Sequence, residues 1–451
     1  MFIDFFLEVF DAHKEQDAIV WNNSVFSYGW LKDKVYMWQQ VLAENNIASG
    51  AVVMVEADYS PSSIALLLAL IENASILVPI TASVAHKKNE FIETSEVELV
   101  ISIEPDDSYR ITRTETLASH EHITALRSMN IPGLILFSSG STGKSKAAVH
   151  DVAKLLEKFK VKRHALRAIT FLLYDHIGGV NTLLYTLSNG GCVITVSDRQ
   201  PDTVLATVEK FGVELLPTSP TFINLMLISE AYKRHDLSSL KTVTYGTEPM
   251  PESVLTRFNS HFPNINLLQT YGLSEIGILR SKSESSSSLW MKVGGEGFET
   301  RITEDNILEV KAHSGMLGYM NAPSPYTEDG WFHTGDTVEV NGEYIKVLGR
   351  KSEIINVGGQ KVYPAEVESV LLQLDFVSEA EVYGMPNALL GNVIACKIRL
   401  STSAETQDKK MLKTQIKKFC KKHLEGYQVP AKFHFDHTEQ FSSRFKKQRS
   451  L

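Results

Sequence analysis

The feature that most limits the fold of this chain is the regular return of short apolar runs between helix-length segments. Val52–Val55, Ile76–Pro79, Leu99–Ser102, Leu134–Phe137, Ile169–Leu173, Cys192–Val196, Leu215–Pro217 and Thr242–Tyr245 each read as a strand. Their alternation with helices predicts α/β architecture with parallel sheets. The apolar stretch from Ser63 to Ile80 is interrupted by Glu72 and Asn73, so it reads as a buried helix followed by a strand and falls short of a membrane span. With 451 residues the chain exceeds what one core usually supports, and two or three domains are expected. The Ser-rich piece Ser281–Ser288 has no apolar period and reads as an exposed loop. Beyond it, Glu296–Ile302, Ile307–Lys311, Val338–Val340 and Glu343–Val347 read as short strands of a small β-rich subdomain. After Gly349–Ser352 the pattern changes to a compact β–α–β region, with helices expected from Ala365 to Leu374 and from Lys409 to Leu424.

Ser138–Lys146, with the sequence SSGSTGKSK, follows the apolar run Ile131–Phe137. Such a turn can offer backbone N–H groups, hydroxyls and ammonium groups to a polyphosphate, and its glycines let the backbone approach closely. The Walker pattern needs a glycine five residues before Gly143, where this chain has Ser138, so an ordinary P-loop NTPase is disfavoured.

Further along, Gln269-Thr270-Tyr271-Gly272-Leu273-Ser274-Glu275 follows the apolar run Ile265–Leu268, and Trp331–Asp336 ends in an acidic residue after a tight turn. Gly349-Arg350-Lys351-Ser352-Glu353 then leads to Gly358-Gly359-Gln360-Lys361-Val362-Tyr363-Pro364. In this order and spacing the segments resemble the core motifs of the superfamily of AMP-forming acyl-CoA synthetases, peptide-synthetase adenylation domains and luciferases. The resemblance runs over nearly the whole chain. It implies a large N-terminal AMP-binding domain of several subdomains, residues 1–348, with parallel and mixed sheets. A small α+β C-terminal lid, residues 349–451, would turn about a hinge at Ser352.

Adenylation of a carboxylate is an in-line attack on the α-phosphate of ATP with pyrophosphate leaving, so cations, hydrogen-bond donors and a Mg²⁺ ligand are needed where charge builds. The resemblance assigns Ser138, Ser139, Gly140, Ser141, Thr142, Gly143 and Lys146 to the β- and γ-phosphates. Glu275 would carry Mg²⁺, Ser274 would contact the α-phosphate, Gly272 would belong to the nucleotide site, and Tyr271 would stack on adenine with Gly246, Thr247 and Glu248 passing the other side of the base. Asp336 is the expected ribose partner, because an ionised carboxylate can accept from two neighbouring hydroxyls, and Arg350 would reinforce it. Lys446 near the C-terminus matches the catalytic lysine of the superfamily, with Phe445 in place of the usual preceding glycine and Lys447 as the competing register. Gly358 and Gly359 match the lid segment that lines the phosphopantetheine tunnel.

On the acid-binding side, His176 in Phe171–Val180 matches an aromatic or histidine gate between the acyl pocket and the thiol channel, although a buried histidine beside a glycine turn is the simpler reading. Amino-acid-activating members carry an Asp one place after the gate. This chain has Ile177 there, and Asp175 would point elsewhere if the segment were extended. A fatty or aromatic acid without an α-amino group is therefore expected, activated with ATP and passed to CoA. The alternatives are transfer to an acyl carrier protein and a nucleotide-binding sensor without turnover.

The net charge of -8 argues against bulk attraction to nucleic acid. Cys192, Cys396 and Cys420 are widely separated and show no metal spacing, which fits a reducing cytoplasm. His120-Glu121-His122 lacks the further ligands that a metal site needs. Lys410, Lys413, Lys417, Lys418, Lys421 and Lys422 surround Leu412, Ile416, Phe419 and Leu424 at helical spacing, as in an amphipathic helix with a basic solvated face; a dock for a carrier protein or for CoA phosphates is the sharper alternative.

Overall fold

The computed structural model describes residues 1–139, 144–196, 198–401 and 404–436, and at Ser139 the backbone alone. The apolar runs build two seven-stranded sheets. In the first, Val52–Glu56, Ile76–Ile80, Leu99–Ile103 and Gly133–Ser139 run parallel, and antiparallel strands close both edges. In the second, Arg167–Ile169, Cys192–Ile194, Leu215–Thr218, Thr242–Tyr245 and Asn266–Gln269 are all parallel. The expected buried helix is Pro61–Glu72, capped reciprocally by Ser60 and Ser63 and buried on all sides, and the strand Ile76–Ile80 follows it.

A six-stranded antiparallel sheet forms the β-rich subdomain. Two expectations change there. Ser281–Ser283 is a strand and not a loop, because its serine hydroxyls and that of Ser286 bond the neighbouring backbone: Gln269 N–H donates to Ser283, Leu267 N–H to Ser286, and Ser281 donates to the Gln269 carbonyl. Side chains thus continue a sheet edge that no apolar period announces. Asp336 does not follow a tight turn but lies within the strand Phe332–Asn341, where Gly335 at φ +73° and a register shift at Thr337 let the chain bulge.

The C-terminal region has a five-stranded sheet and the helices Pro364–Leu371 and Lys409–His423. Its first helix packs on Glu252–His261, so Val254, Leu255 and Phe258 share one apolar core with Val367 and Leu371. Two polar contacts cross the same seam: Asn224 Nδ2 donates to the Ser378 carbonyl at 3.0 Å, and Ser253 N–H to Ser369 Oγ at 3.3 Å. Gly349, near the end of the last strand of the β-rich sheet, Tyr344–Arg350, sits at φ +139°, and Lys351–Glu353 then forms one 3-10 turn. Among the described residues no helix is long and apolar enough to cross a membrane.

Candidate active site

The parallel strands of the second sheet gather the sequence motifs at their carboxyl ends, where open α/β sheets bind ligands. Gly246–Glu248 follows Thr242–Tyr245, and Thr270–Tyr271 follows Asn266–Gln269, whose strands pair with Tyr245 opposite Gln269. Gly246 admits no side chain, since a Cβ there would stand 2.7 Å from Thr270 Oγ1. Thr247 adopts φ +74°, and Glu248 is held by the backbone N–H of Thr221 at 2.8 Å, at the start of the helix Pro220–Ile228.

Ser138–Lys146 lies between two antiparallel strands, Gly133–Ser139 and Ser145–Asp151, with Ser138 opposite Lys146 and Ser139 opposite Ser145. A strand therefore stands where the Walker pattern places a helix. Gly140, Ser141, Thr142 and Gly143 lie outside the described residues, as do Phe445, Lys446 and Lys447. Ser145 is anchored by Lys87 Nζ at 3.0 Å on its hydroxyl, by its own N–H to Glu90 at 3.3 Å, and by Asn321 Nδ2 at 2.8 Å on its carbonyl.

Glu275 reaches this hairpin from the short strand pair Gly272–Leu273 and Gly277–Ile278. Gly272 allows the close return, as a Cβ there would lie 2.5 Å from the Gly277 carbonyl oxygen. Glu275 Oε1 accepts from the Ser138 hydroxyl at 3.3 Å and from the Tyr319 phenol at 2.7 Å. Lys146 Nζ stands 5.3 Å from the centre of the Tyr319 ring. Burial and the Glu275 charge push the Tyr319 phenol well above its ordinary range, so it remains a donor. Ser274 is buried beside Glu275. The set of one carboxylate with surrounding hydroxyls fits Mg²⁺, a hard cation that keeps several waters and binds through one or two carboxylates and substrate phosphates. Among the described residues no group of three or more His, Cys, Asp or Glu is placed to hold a metal ion.

Asp336 is 6% exposed and gripped on both oxygens: Arg350 Nε stands 2.9 Å from Oδ1, and the Tyr271 phenol donates to Oδ2 at 2.6 Å. Asp336 and Arg350 are cross-strand partners, which fixes the pair by backbone register. Burial works against the Arg350 charge, but Asp336, Tyr271 and Glu275 outweigh it and raise its pKa. Tyr271 itself is buried in one apolar cluster with Ala148, Ile276 and Leu279, and its hydroxyl holds Asp336.

His176 caps the helix Ile177–Ser188 by accepting from Gly178 N–H at 3.4 Å. The preceding residues form a turn and not an extended strand. Gly179 makes the turn possible, as a Cβ there would fall 1.9 Å from the Leu173 carbonyl oxygen. Asp175 lies in this turn, so strand alternation does not set its direction; it is buried and accepts from Thr81 Oγ1 at 2.8 Å. Gly358 and Gly359, at φ +56° and +87°, turn the hairpin Ile355–Val357 to Gln360–Val362; Gly358 N–H donates to the Leu390 carbonyl, and a Cβ on Gly359 would meet nothing within 4 Å. Tyr319, Lys87 and Asn321 were not legible as site residues, since each acts through a contact between segments far apart in the chain.

Residues 6–296 match the AMP-binding enzyme family, and residues 366–439 match the AMP-binding enzyme C-terminal domain. The chain belongs to the AMP-binding enzyme family. It is 26% identical over 361 residues to a methyl-dioxo-octahydroindenyl-propanoyl:CoA ligase of Rhodococcus jostii, covering 76% of this chain and 69% of that relative. It is 28% identical over 329 residues to a long-chain-fatty-acid–CoA ligase of Haemophilus influenzae, covering 66% and 57%. Over 293 residues it is 28% identical to an indoleacetate–CoA ligase of Aromatoleum aromaticum, covering 59% and 57%. Among solved structures, the anthranilate CoA ligase AuaEII in complex with anthranoyl-AMP superposes with a TM-score of 0.82 at 20% identity, over 99% of this chain and 95% of that one. The amide bond synthetase McbA from Marinactinospora thermotolerans superposes at 0.77, with 21% identity and 98% and 97% covered. The fold is that of the adenylate-forming ligases, a large N-terminal domain with a small C-terminal one, as the sequence motifs imply.

Proposed function

We propose that this protein activates a fatty or aromatic carboxylic acid with ATP and Mg²⁺ to an acyl-adenylate and passes the acyl group to CoA, releasing pyrophosphate and AMP. The observation that carries the reading is the convergence of Glu275, Ser138 and Lys146 on one side and Asp336 with Arg350 on the other. The activities of the relatives, CoA ligases for fatty, indoleacetic and indenyl-propanoyl acids, support the same class. Bound Mg²⁺ would neutralise charge on the phosphates, held by Glu275. Lys146, Ser138 and Ser139, with Gly140, Ser141, Thr142 and Gly143, would receive the polyphosphate, and Ser274 and Gly272 the α-phosphate. Asp336 and Arg350 would grip the ribose, and Gly246–Glu248 with Tyr271 would border the base. Lys446 would bridge the acid and the α-phosphate during transfer. His176 would stand between acid and thiol, and Gly358-Gly359 would admit the pantetheine arm after residues 349–451 turn about Ser352. The three cysteines are free and buried, with burial pushing the Cys192 thiol up to about 11, and this favours a reducing cytoplasm.

Pyrophosphate release across a panel of acids, with and without CoA, tests this. Acid-dependent release with CoA-dependent turnover is expected, and release with no acid at all would overturn it. A second acceptor, an acyl carrier protein, is favoured by one observation: the helix Lys409–His423 carries seven exposed lysines and no acidic residue in a chain of net charge -8. Electrostatic docking of an acidic carrier should weaken as salt rises. Fast, salt-sensitive acylation of a carrier with negligible turnover on CoA would decide for that acceptor.

A further inference from the structure

Tyr319 touches both the phosphate hairpin and the acidic hairpin, which also meet directly through Ser138 and Glu275. It lies on the two-residue strand Gly318–Tyr319, which adds antiparallel to Ser145–Asp151 with Tyr319 opposite Ala148. Two residues on, Asn321 prolongs this pairing with its side chain. Its Oδ1 accepts from Ala147 N–H at 3.0 Å, and its Nδ2 donates to the Ser145 carbonyl at 2.8 Å. Tyr319 is therefore fixed relative to the very backbone that carries Lys146. It is 9% exposed, and an aromatic side chain with two torsions loses little freedom when fixed.

Its two chemical faces then act on different groups. The hydroxyl holds Glu275 Oε1 at 2.7 Å, on the oxygen that also receives Ser138. The ring face lies 5.3 Å from Lys146 Nζ, within the range of a cation–π contact. A glutamate and a lysine of opposite charge in one small site would otherwise be drawn to each other. No ion pair joins Glu275 and Lys146 among the described residues, and Tyr319 contacts both.

We infer that Tyr319 is a positioning residue for adenylation: its hydroxyl aims Glu275 at the metal, and its ring keeps the Lys146 ammonium turned to the phosphates. The inference rests on the assignment of Glu275 to Mg²⁺ and of Lys146 to phosphate made above. Tyr319→Phe removes the first action and keeps the second, whereas Tyr319→Leu removes both.

Calorimetric titration of the full chain with ATP, once with Mg²⁺ and once with EDTA, separates these actions without reference to turnover. Glu275→Gln is the control, and it should weaken binding only when Mg²⁺ is present. Tyr319→Phe should reproduce part of that effect, about a tenfold loss with Mg²⁺ and little change in EDTA, as expected for one hydrogen bond to a charged group. Tyr319→Leu should weaken ATP in both conditions, and in pyrophosphate exchange it should raise the KM for pyrophosphate while the KM for the acid stays put. If Glu275→Gln shifts the Mg²⁺-dependent affinity and Tyr319→Phe does not, the inference about Tyr319 is overturned while the metal assignment stands. Equal losses for Tyr319→Phe with Mg²⁺ and in EDTA also overturn it, since a packing defect has no reason to follow the metal. If Glu275→Gln leaves both affinities unchanged, the assignment of Glu275 fails and takes the inference with it.

Discussion

Tyr271 donates its phenolic hydrogen to Asp336 over 2.6 Å, and both side chains are buried. The bond places a neutral donor on one carboxylate oxygen and leaves the charged Arg350 on the other, so the acid is aligned before any ribose arrives. Burial and the Asp336 charge raise the Tyr271 pKa well above its ordinary range, and the bond therefore persists throughout the working pH range.

Tyr271→Phe should keep the apolar packing and lose this bond. A hydrogen bond to a charged group contributes about 1.5 to 3 kcal/mol, so the KM for ATP should rise about tenfold or more while the KM for the acid changes little. Steady-state kinetics against both substrates measures this. A rise confined to the acid would show that Asp336 serves another part of the site.

Lys446→Ala should abolish adenylate formation and leave ATP affinity nearly intact, because the lysine would act on charge that develops only in the transition state. Pyrophosphate exchange beside equilibrium ATP binding separates the two effects. Near-normal exchange in Lys446→Ala together with loss in Lys447→Ala would move the assignment by one residue.

Acids without an α-amino group should be preferred. Ile177, the first residue of the helix after His176, is buried and apolar, and the buried Asp175 carboxylate is engaged by Thr81. An ammonium buried without a partner is disfavoured by several kcal/mol. Exchange observed with amino acids alone would contradict this.

His150 provides a pH test. It is fully buried on the strand Ser145–Asp151, and burial pushes its imidazole down to about 4. The folded state keeps it neutral, while the unfolded chain takes up a proton below its ordinary value. Its contribution is therefore complete above that ordinary value and is lost as pH falls toward about 4, by on the order of 3 kcal/mol. Urea midpoints at neutral and acidic pH should fall less steeply for His150→Phe than for the parent chain. Identical slopes would exclude His150 as a source of acid sensitivity.

The parallel strands were legible because each is a short apolar run, and their observed bounds differ from the sequence reading by a few residues. The same logic failed at Ser281–Ser283, where hydroxyls and not apolar side chains dock the strand, and at Phe171–His176, where Gly179 turns a chain that alternation would have kept extended. Glu275, Asp336 and Arg350 could be named from linear motifs, but their environment could not. Tyr319 meets Glu275 across 44 positions of sequence and Tyr271 meets Asp336 across 65, and single-sequence patterns carry no such pairings.

The flanking strands of Ser138–Lys146 also bear on how the enzyme lets go. In a nucleotide fold built on strand, loop and helix, the helix N-terminus adds a fixed partial positive charge to the loop, and phosphate is held by an element that cannot be withdrawn. Here a strand, Ser145–Asp151, stands in place of that helix, so on the proposed reading side-chain cations such as Lys146, on flexible stems, would take over the part of the helix dipole. A grip of that kind weakens when a metal carried by the phosphates neutralises part of their charge. On the proposed reading, pyrophosphate that keeps its Mg²⁺ would be held less tightly by these lysines than bare pyrophosphate, and would leave more readily with the metal than without it.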